Sequence, residues 1–202
     1  MPRQAGDTRR RIVEAAYYLF YRRGFARVGV DEIAARARIT KRTLYAHFRS
    51  KDDLLAAALH GQGDFDLARL QVIARHFPPA VGPMLDSFFG QLAEWAATPG
   101  WSGSGFTRVV VELADLPGHP ARAIARRAKN VTEHWLTDQL ASRHVAGPGQ
   151  CAKEIMVLME GAMILMLMHG DRSYADVAAR AARRLVEPAR ASGTRRKSPA
   201  RP

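Results

Sequence analysis

The sequence predicts an all-α protein of about nine helices. Two observations carry that expectation. Alanine, leucine and arginine, all good helix formers, dominate the 202 residues. Apolar residues recur at helical spacing along most of the chain, while runs that alternate with period 2 are scarce. A hydrophobic fraction of 47% is enough for a sizeable core.

The first helix is expected from about Thr8 to Arg23, capped by Asp7 or Thr8. Ile12, Ala16, Leu19 and Phe20 form its apolar stripe, and Gly24 stops it at a C′ position. A short second helix, Val30 to Ala37, puts Val30, Ile33, Ala34 and Ala37 on one face. Asp31 and Glu32 sit in its first turn, where the helix dipole favours acids. Arg38-Ile39-Thr40 makes a turn, and Thr40 caps a third helix from Lys41 to Phe48. In it Leu44 and Phe48, four apart, point inward and leave Lys41, Arg42, Thr43, Tyr45 and His47 outside. Ser50 caps a fourth helix, with Asp53 three residues on. Leu54, Leu55, Ala58 and Leu59 make its apolar face, and a continuation past Gly61-Gln62-Gly63 toward His76 is open to it. Phe77-Pro78-Pro79 is a boundary. Five more helices follow: Pro83 to Thr98, Ser104 to Asp115, Ala121 to Ser142, Gln150 to His169 and Ser173 to Ala189.

Charge divides the chain. Of the net +12, residues 1–60 hold +7 (13 Lys and Arg against 6 Asp and Glu), residues 61–189 are neutral, and residues 190–202 hold +5. Basic charge gathered on one small unit is the electrostatic footprint of a nucleic-acid binder. The expected organisation is a DNA-binding domain at 6–66 with its helix-turn-helix at about 29–48, a second domain at 67–189, and a disordered basic tail at 190–202. That tail either binds DNA without sequence preference or is merely solvated.

Several function classes are disfavoured. Cys151 is the lone cysteine, so no disulfide framework or cysteine-based zinc site forms within one chain. The N-terminus has no apolar signal core, and Gly161 to Met168 is too short to span a bilayer. These features predict a cytoplasmic protein with no membrane partner. No G-x-S-x-G elbow, P-loop, H-E-x-x-H or paired-Cys motif is present, so no enzyme, cofactor or metal site is expected. Cys151 remains open as a redox sensor, provided it is an activated thiolate. A nonspecific DNA binder also stays open, supported by the tail and opposed by the neutral, aromatic second half.

Two short helices joined by a three-residue turn, with another packed across them, make a helix-turn-helix. The major groove admits one helix, anchored by apolar residues and reading with polar ones. Here the residues become recognisable. VDEIAARARITKRTLYAHFRSKDDLL, preceded by AAYYLFYRRGF, resembles the N-terminal signature of the TetR/AcrR family of transcriptional regulators over about residues 8–60. The resemblance implies a recognition helix from Thr40 to His47. Arg42 and Thr43 would meet base edges, Tyr45, His47 and Lys51 phosphates, and Thr40 both its cap and a phosphate. Lys41 shares the outer face, and Arg9, Arg10 and Arg11 would add backbone contacts. Arg38 stands where the family usually has glycine, and adds charge near the phosphates. Plain alternatives are that Tyr45 only packs and that His47 is a solvated surface side chain.

The later segments GFTRVVVELADLPGHPARAIARRAKN and LMEGAMILMLMHGD look like a subgroup of the same family. The resemblance implies a ligand-binding and dimerisation domain there. Double-stranded DNA carrying a palindromic operator, a small-molecule effector and a second copy of the chain are the implied partners. The mode would be repression as a homodimer, released by the effector. For the dimer seam, the candidates are Ile155, Leu158, Met159, Ala162 and Met166 with Val177, Ala181 and Leu185, and Gly161 would allow close approach. Alternatively the methionines fill the chain's own core. For the pocket, Phe88, Phe89, Trp95, Trp101, Phe106 and Trp135 are candidate walls, and Glu112, His119 and His134 candidate polar groups. Plain core is the competing reading for those aromatics.

Overall fold

A computed structural model describes residues 2–187, with side chains from residue 6 onward. The basic tail therefore lies outside the described residues. Among these residues the chain is entirely helical: α1 (Pro2–Arg23), α2 (Val30–Arg36), α3 (Lys41–His47), α4 (Lys51–Ala74), α5 (Val81–Ala96), α6 (Gly105–Glu112), α7 (Pro120–Ala141), α8 (Pro148–His169) and α9 (Ser173–Val186). The expected all-α class holds, and each expected helix is present to within a few residues.

Two differences have local causes. α1 begins well before Thr8, so neither Asp7 nor Thr8 caps it; Asp7 instead forms an ion pair with Arg10 inside the helix. α4 runs unbroken through Gly61 and Gly63. A helix of this length tolerates two glycines, each costing about 1 kcal/mol, because both its ends are buried in packing. The boundary expected near residue 66 thus falls inside a continuous helix.

α4 joins two cores. Its first half, with Leu54, Leu55 and Leu59, packs with Ile12, Phe20, Ile33, Leu44 and Phe48. That core also takes Phe106 and Val109 of α6, Leu113 just after it, and Ala121 and Ala125 of α7, so the helix-turn-helix unit is welded to the second half of the chain. The second core gathers Met84, Leu85, Phe88 and Phe89 of α5, Trp135, Leu136 and Leu140 of α7, and the inner faces of α8 and α9, with Leu70 and Ala74 of α4 against it.

The small residues of α9 explain its close approach. Ala175, Ala178, Ala179 and Ala182 are buried and let α9 lie against both α5 and α8. α8 is apolar nearly all round, and the structure divides its residues. Ile155, Met159, Ala162 and Met166, expected at a dimer seam, are buried in the chain's own second core. Leu158 is half-buried against that core, and Ala181 on α9 is half-buried. The outward apolar side chains are Val157, at 72% exposure, with Ile164, Leu167 and Met168 on α8, and Val177 and Leu185 on α9. Gly161 shares this outward face, with open space where a side chain would stand. Among the described residues no helix is long and apolar enough to cross a membrane.

Candidate nucleic-acid interface and ligand cavity

α3 is placed by its own sequence. Thr40 accepts the backbone N–H of Thr43 at 3.1 Å through Oγ1, and the two hydroxyl oxygens stand 2.8 Å apart. Leu44 is fully buried and Phe48 nearly so, which pins the inner face. Arg42 and Tyr45 are exposed and His47 partly so, and none makes a hydrogen bond, ion pair or ring contact with the described residues. Lys41 differs, since its Nζ pairs with Asp31 Oδ2 at 3.1 Å. The outer face of α3 therefore offers a guanidinium, a phenol and an imidazole with no partner among the described residues.

The turn carries strain that is visible in the backbone. Arg38 adopts φ 55°, the left-handed region favoured by glycine. Two carbonyls of the turn are tied to α1, because the Arg11 guanidinium donates to Ala37 O and, at 3.4 Å, to Arg38 O. Arg11 is thus a brace of the motif. Arg9 lies over the Phe48 ring at 5.0 Å, and Arg10 is paired with Asp7 and Glu14. The contacts expected of these arginines toward a DNA backbone compete with such internal partners.

Lys51 opens α4 beside this surface. Ser50 accepts the N–H of Asp53 at 3.0 Å, and Asp53 accepts that of Arg49 at 3.3 Å, so the helix start is rigid. The Lys51 ammonium sits over the Phe25 ring, 4.3 Å from its centroid. Burial pushes its pKa below the ordinary lysine value, with Asp52 and Glu112 pulling the other way.

A cavity of about 150 Å³ lies between α4, α5, α6 and α7, closed on one side by Tyr17 of α1. Of the expected walls, Phe88, Trp95 and Phe106 line it. The other six candidates are elsewhere. Phe89 is wholly buried in the second core, and Trp135 packs against Phe77 and Phe88. Trp101 stands edge-on behind Trp95, 6.0 Å away. His134 is exposed and turned back onto Asn130 O of its own helix. Glu112 holds the corner after α1, as hydrogen-bond acceptor for the Ala26 N–H. His119 caps α7, accepting the Ala121 N–H at Nδ1 and facing Asp52 at 3.5 Å from Nε2; it borders a separate cleft.

Sequence reasoning missed the polar groups that do line the cavity: Tyr17, Gln62, Asp66, Arg69 and Lys129. Only Asp66, an acid on the inward side of a long helix, left a trace in the pattern. Tyr17 and Lys129 enter from helices remote in sequence. Cys151 is buried at the start of α8, its thiol 3.7 Å from Ala146 O. Burial raises its pKa above the ordinary thiol value, the reverse of an activated thiolate.

The profile described as "Bacterial regulatory proteins, tetR family" matches residues 12–58, which run from within α1 through α2 and α3 to the first turns of α4. Residues 12–58 place the N-terminal segment of the chain in the TetR family. Members of this family are transcriptional regulators rather than enzymes. The chain is 43% identical over 56 residues to the HTH-type transcriptional regulator TtgR of Pseudomonas putida, 28% of this chain and 27% of that protein. It is 44% identical over 52 residues to the HTH-type transcriptional repressor SCO4008 of Streptomyces coelicolor, 26% of this chain and 27% of that one. These matches span about a quarter of the curated relatives' length. Over the whole fold the chain is similar to SCO4454, a TetR-family transcriptional regulator from Streptomyces coelicolor, with 27% identity and a TM-score of 0.78, covering 91% of this chain and 97% of that one. It also shares its fold with the reduced form of Escherichia coli NemR, at 21% identity and a TM-score of 0.81, covering 91% and 99%.

Proposed function

We propose that the chain is a transcriptional repressor that binds a palindromic operator as a homodimer and lets go when a small-molecule effector enters the cavity. The observation that carries this reading is the outer face of α3. Arg42, Tyr45 and His47 stand there without partners among the described residues, on a helix locked from beneath by Leu44 and Phe48. An Arg at such a position is suited to guanine O6 and N7, and the Thr43 methyl to a thymine methyl. Tyr45, His47, Lys51, Thr40 and the Arg38 turn would fix the register on phosphates. Lys41, shared with Asp31, is left the weaker contact.

Pairing of two chains would use the outward face of α8 and α9. Val157, Ile164 and Met168 continue onto Val177 and Leu185, and Ala181 lies between the last two. Two helices from each chain would close a four-helix seam about a two-fold axis. Such a dimer sets its recognition helices about 34 Å apart, one turn of DNA. Release requires that the effector favour a conformer with a different spacing. In this reading residues to about 66 read DNA, and the rest of the chain senses and dimerises, in the cytoplasm where the operator is.

Fluorescence anisotropy with labelled fragments of the DNA upstream of its own gene tests the proposal. Saturable binding to a palindrome, well above that to scrambled DNA at moderate salt, is the expected result. Equal affinity for both would overturn it.

A further inference from the structure

The reading of the cavity as the effector site, on which this inference rests, can be taken one step further, to the class of compound. Tyr17, Phe88, Trp95 and Phe106 give the cavity aromatic walls. Asp66 stands on the α4 wall. Its Oδ1 accepts from Gln62 Nε2 at 2.6 Å, and it makes no ion pair among the described residues. The two nearby cations do not fill that role. Lys129 is paired with Glu160 and also donates to Ser104 at 3.0 Å. Arg69, on the same helix, lies beyond ion-pair distance and is half-exposed. Burial pushes the Asp66 carboxyl above its ordinary range even though Gln62, Arg69 and Lys129 all pull it down. The carboxylate is therefore poorly solvated and has no ion-pair partner among the described residues.

We propose that the cavity takes a small aromatic compound bearing a protonated amine, with the ammonium on Asp66 and the ring between Phe88, Trp95 and Phe106. An ammonium gives the carboxylate a charge-assisted hydrogen bond, and the π-faces around it favour the same sign. A volume of about 150 Å³ suits a compound built on a single ring, since a void of that size takes up benzene. An anionic counterpart meets Asp66 with like charge, and a neutral one leaves the carboxylate uncompensated.

Three near-isosteric probes test this on the full chain by calorimetric titration: 2-phenylethylamine, 2-phenylethanol and phenylacetate. The amine is expected to bind about tenfold or more tighter than the alcohol, with phenylacetate weakest. Asp66→Asn should bring the amine down to the level of the alcohol and leave the alcohol unchanged. Arg69→Gln should tighten the amine and weaken phenylacetate further, so the charge argument is tested even if the Asp66 variant does not fold. Equal binding of amine and alcohol, tighter binding of the acid, no binding of any probe, or an amine affinity indifferent to both substitutions would overturn the inference. The effector reading is tested separately, by adding the amine to the protein–DNA complex. Selective binding without release of DNA leaves the ligand class standing and removes the effector role. Release by anionic or neutral compounds alone does the opposite.

Discussion

Glu112, the last residue of α6, accepts the backbone N–H of Ala26 at 3.1 Å through Oε2, joining positions 86 residues apart. Its Oε1 takes Arg108 Nε at 3.0 Å, and Arg108 in turn donates to Tyr21 O at 3.0 Å. The corner between α1 and α2 is thereby clasped to α6, whose first residues Gly105 and Phe106 line the cavity. The corner is also tight. Gly24 has φ +90°, and a Cβ there would lie 2.6 Å from Glu112 Oε1.

This clasp predicts a non-additive pair. Glu112→Ala should cost about 0.5–1.5 kcal/mol by removing the acceptor of the exposed Ala26 N–H and of the half-buried Arg108. Gly24→Ala should also destabilise, through its positive φ and the collision with Glu112. In the double variant the collision is gone, so the combined loss should be smaller than the sum. Urea unfolding of the four proteins measures this, and strict additivity would show that the two residues do not share a contact.

Arg38→Gly should stabilise the chain by about 1 kcal/mol, because the left-handed backbone at Arg38 costs a side-chain-bearing residue and not glycine. The Arg11 brace uses only main-chain carbonyls, so it survives the substitution. Thermal or urea unfolding reads the gain. Unchanged or reduced stability would mean that the Arg38 side chain contributes more than its backbone strain removes.

Two DNA-side substitutions should behave differently. Arg42→Ala should cost about 1–3 kcal/mol on the preferred operator and flatten discrimination at one base pair. Lys51→Ala should weaken binding to every sequence alike and lower the slope of log affinity against log salt by about one. Anisotropy across a panel of single-base operator variants at several salt concentrations separates the two. A uniform loss for Arg42→Ala would reassign it to phosphate contact.

Neighbouring residues of α8 should part ways as well. Ile155→Ala, in the core, should cost about 2–5 kcal/mol of stability. Val157→Asp, on the outward face, should leave the fold intact and shift the chain from dimer to monomer. Light scattering after size exclusion, with a circular-dichroism melt on the same samples, gives both readouts. A Val157→Asp protein that stays dimeric would move the pairing surface elsewhere.

Asp66 supplies a pH dependence. Its folded pKa lies above the ordinary value, so the native state binds the extra proton. Stability should therefore fall as pH rises from the ordinary carboxylate range through the raised value. Asp66→Asn should raise the melting temperature on the alkaline side of that value and lose that advantage in acid. A gain that persists unchanged in acid would give it another origin.

What the sequence by itself determined is local. The third helix, its Thr40 cap, its buried Leu44 and Phe48 and its outward Arg42, Tyr45 and His47 follow from neighbours within one or two turns, where helical geometry leaves a single arrangement. The place of the turn at Arg38 belongs to the same class, while its left-handed backbone is seen only in the structure. The tertiary structure decided everything that depends on partners remote in the chain. α8 is apolar on nearly every side, so periodicity cannot say which of Ile155 and Val157 faces the core; packing by α5, α7 and α9 settles it. For the same reason Glu112 belongs to the corner at Ala26 and not to the cavity, and Tyr17 and Asp66 meet across one. Side chains such as these are assigned by distance in space, to which spacing along a single helix is blind.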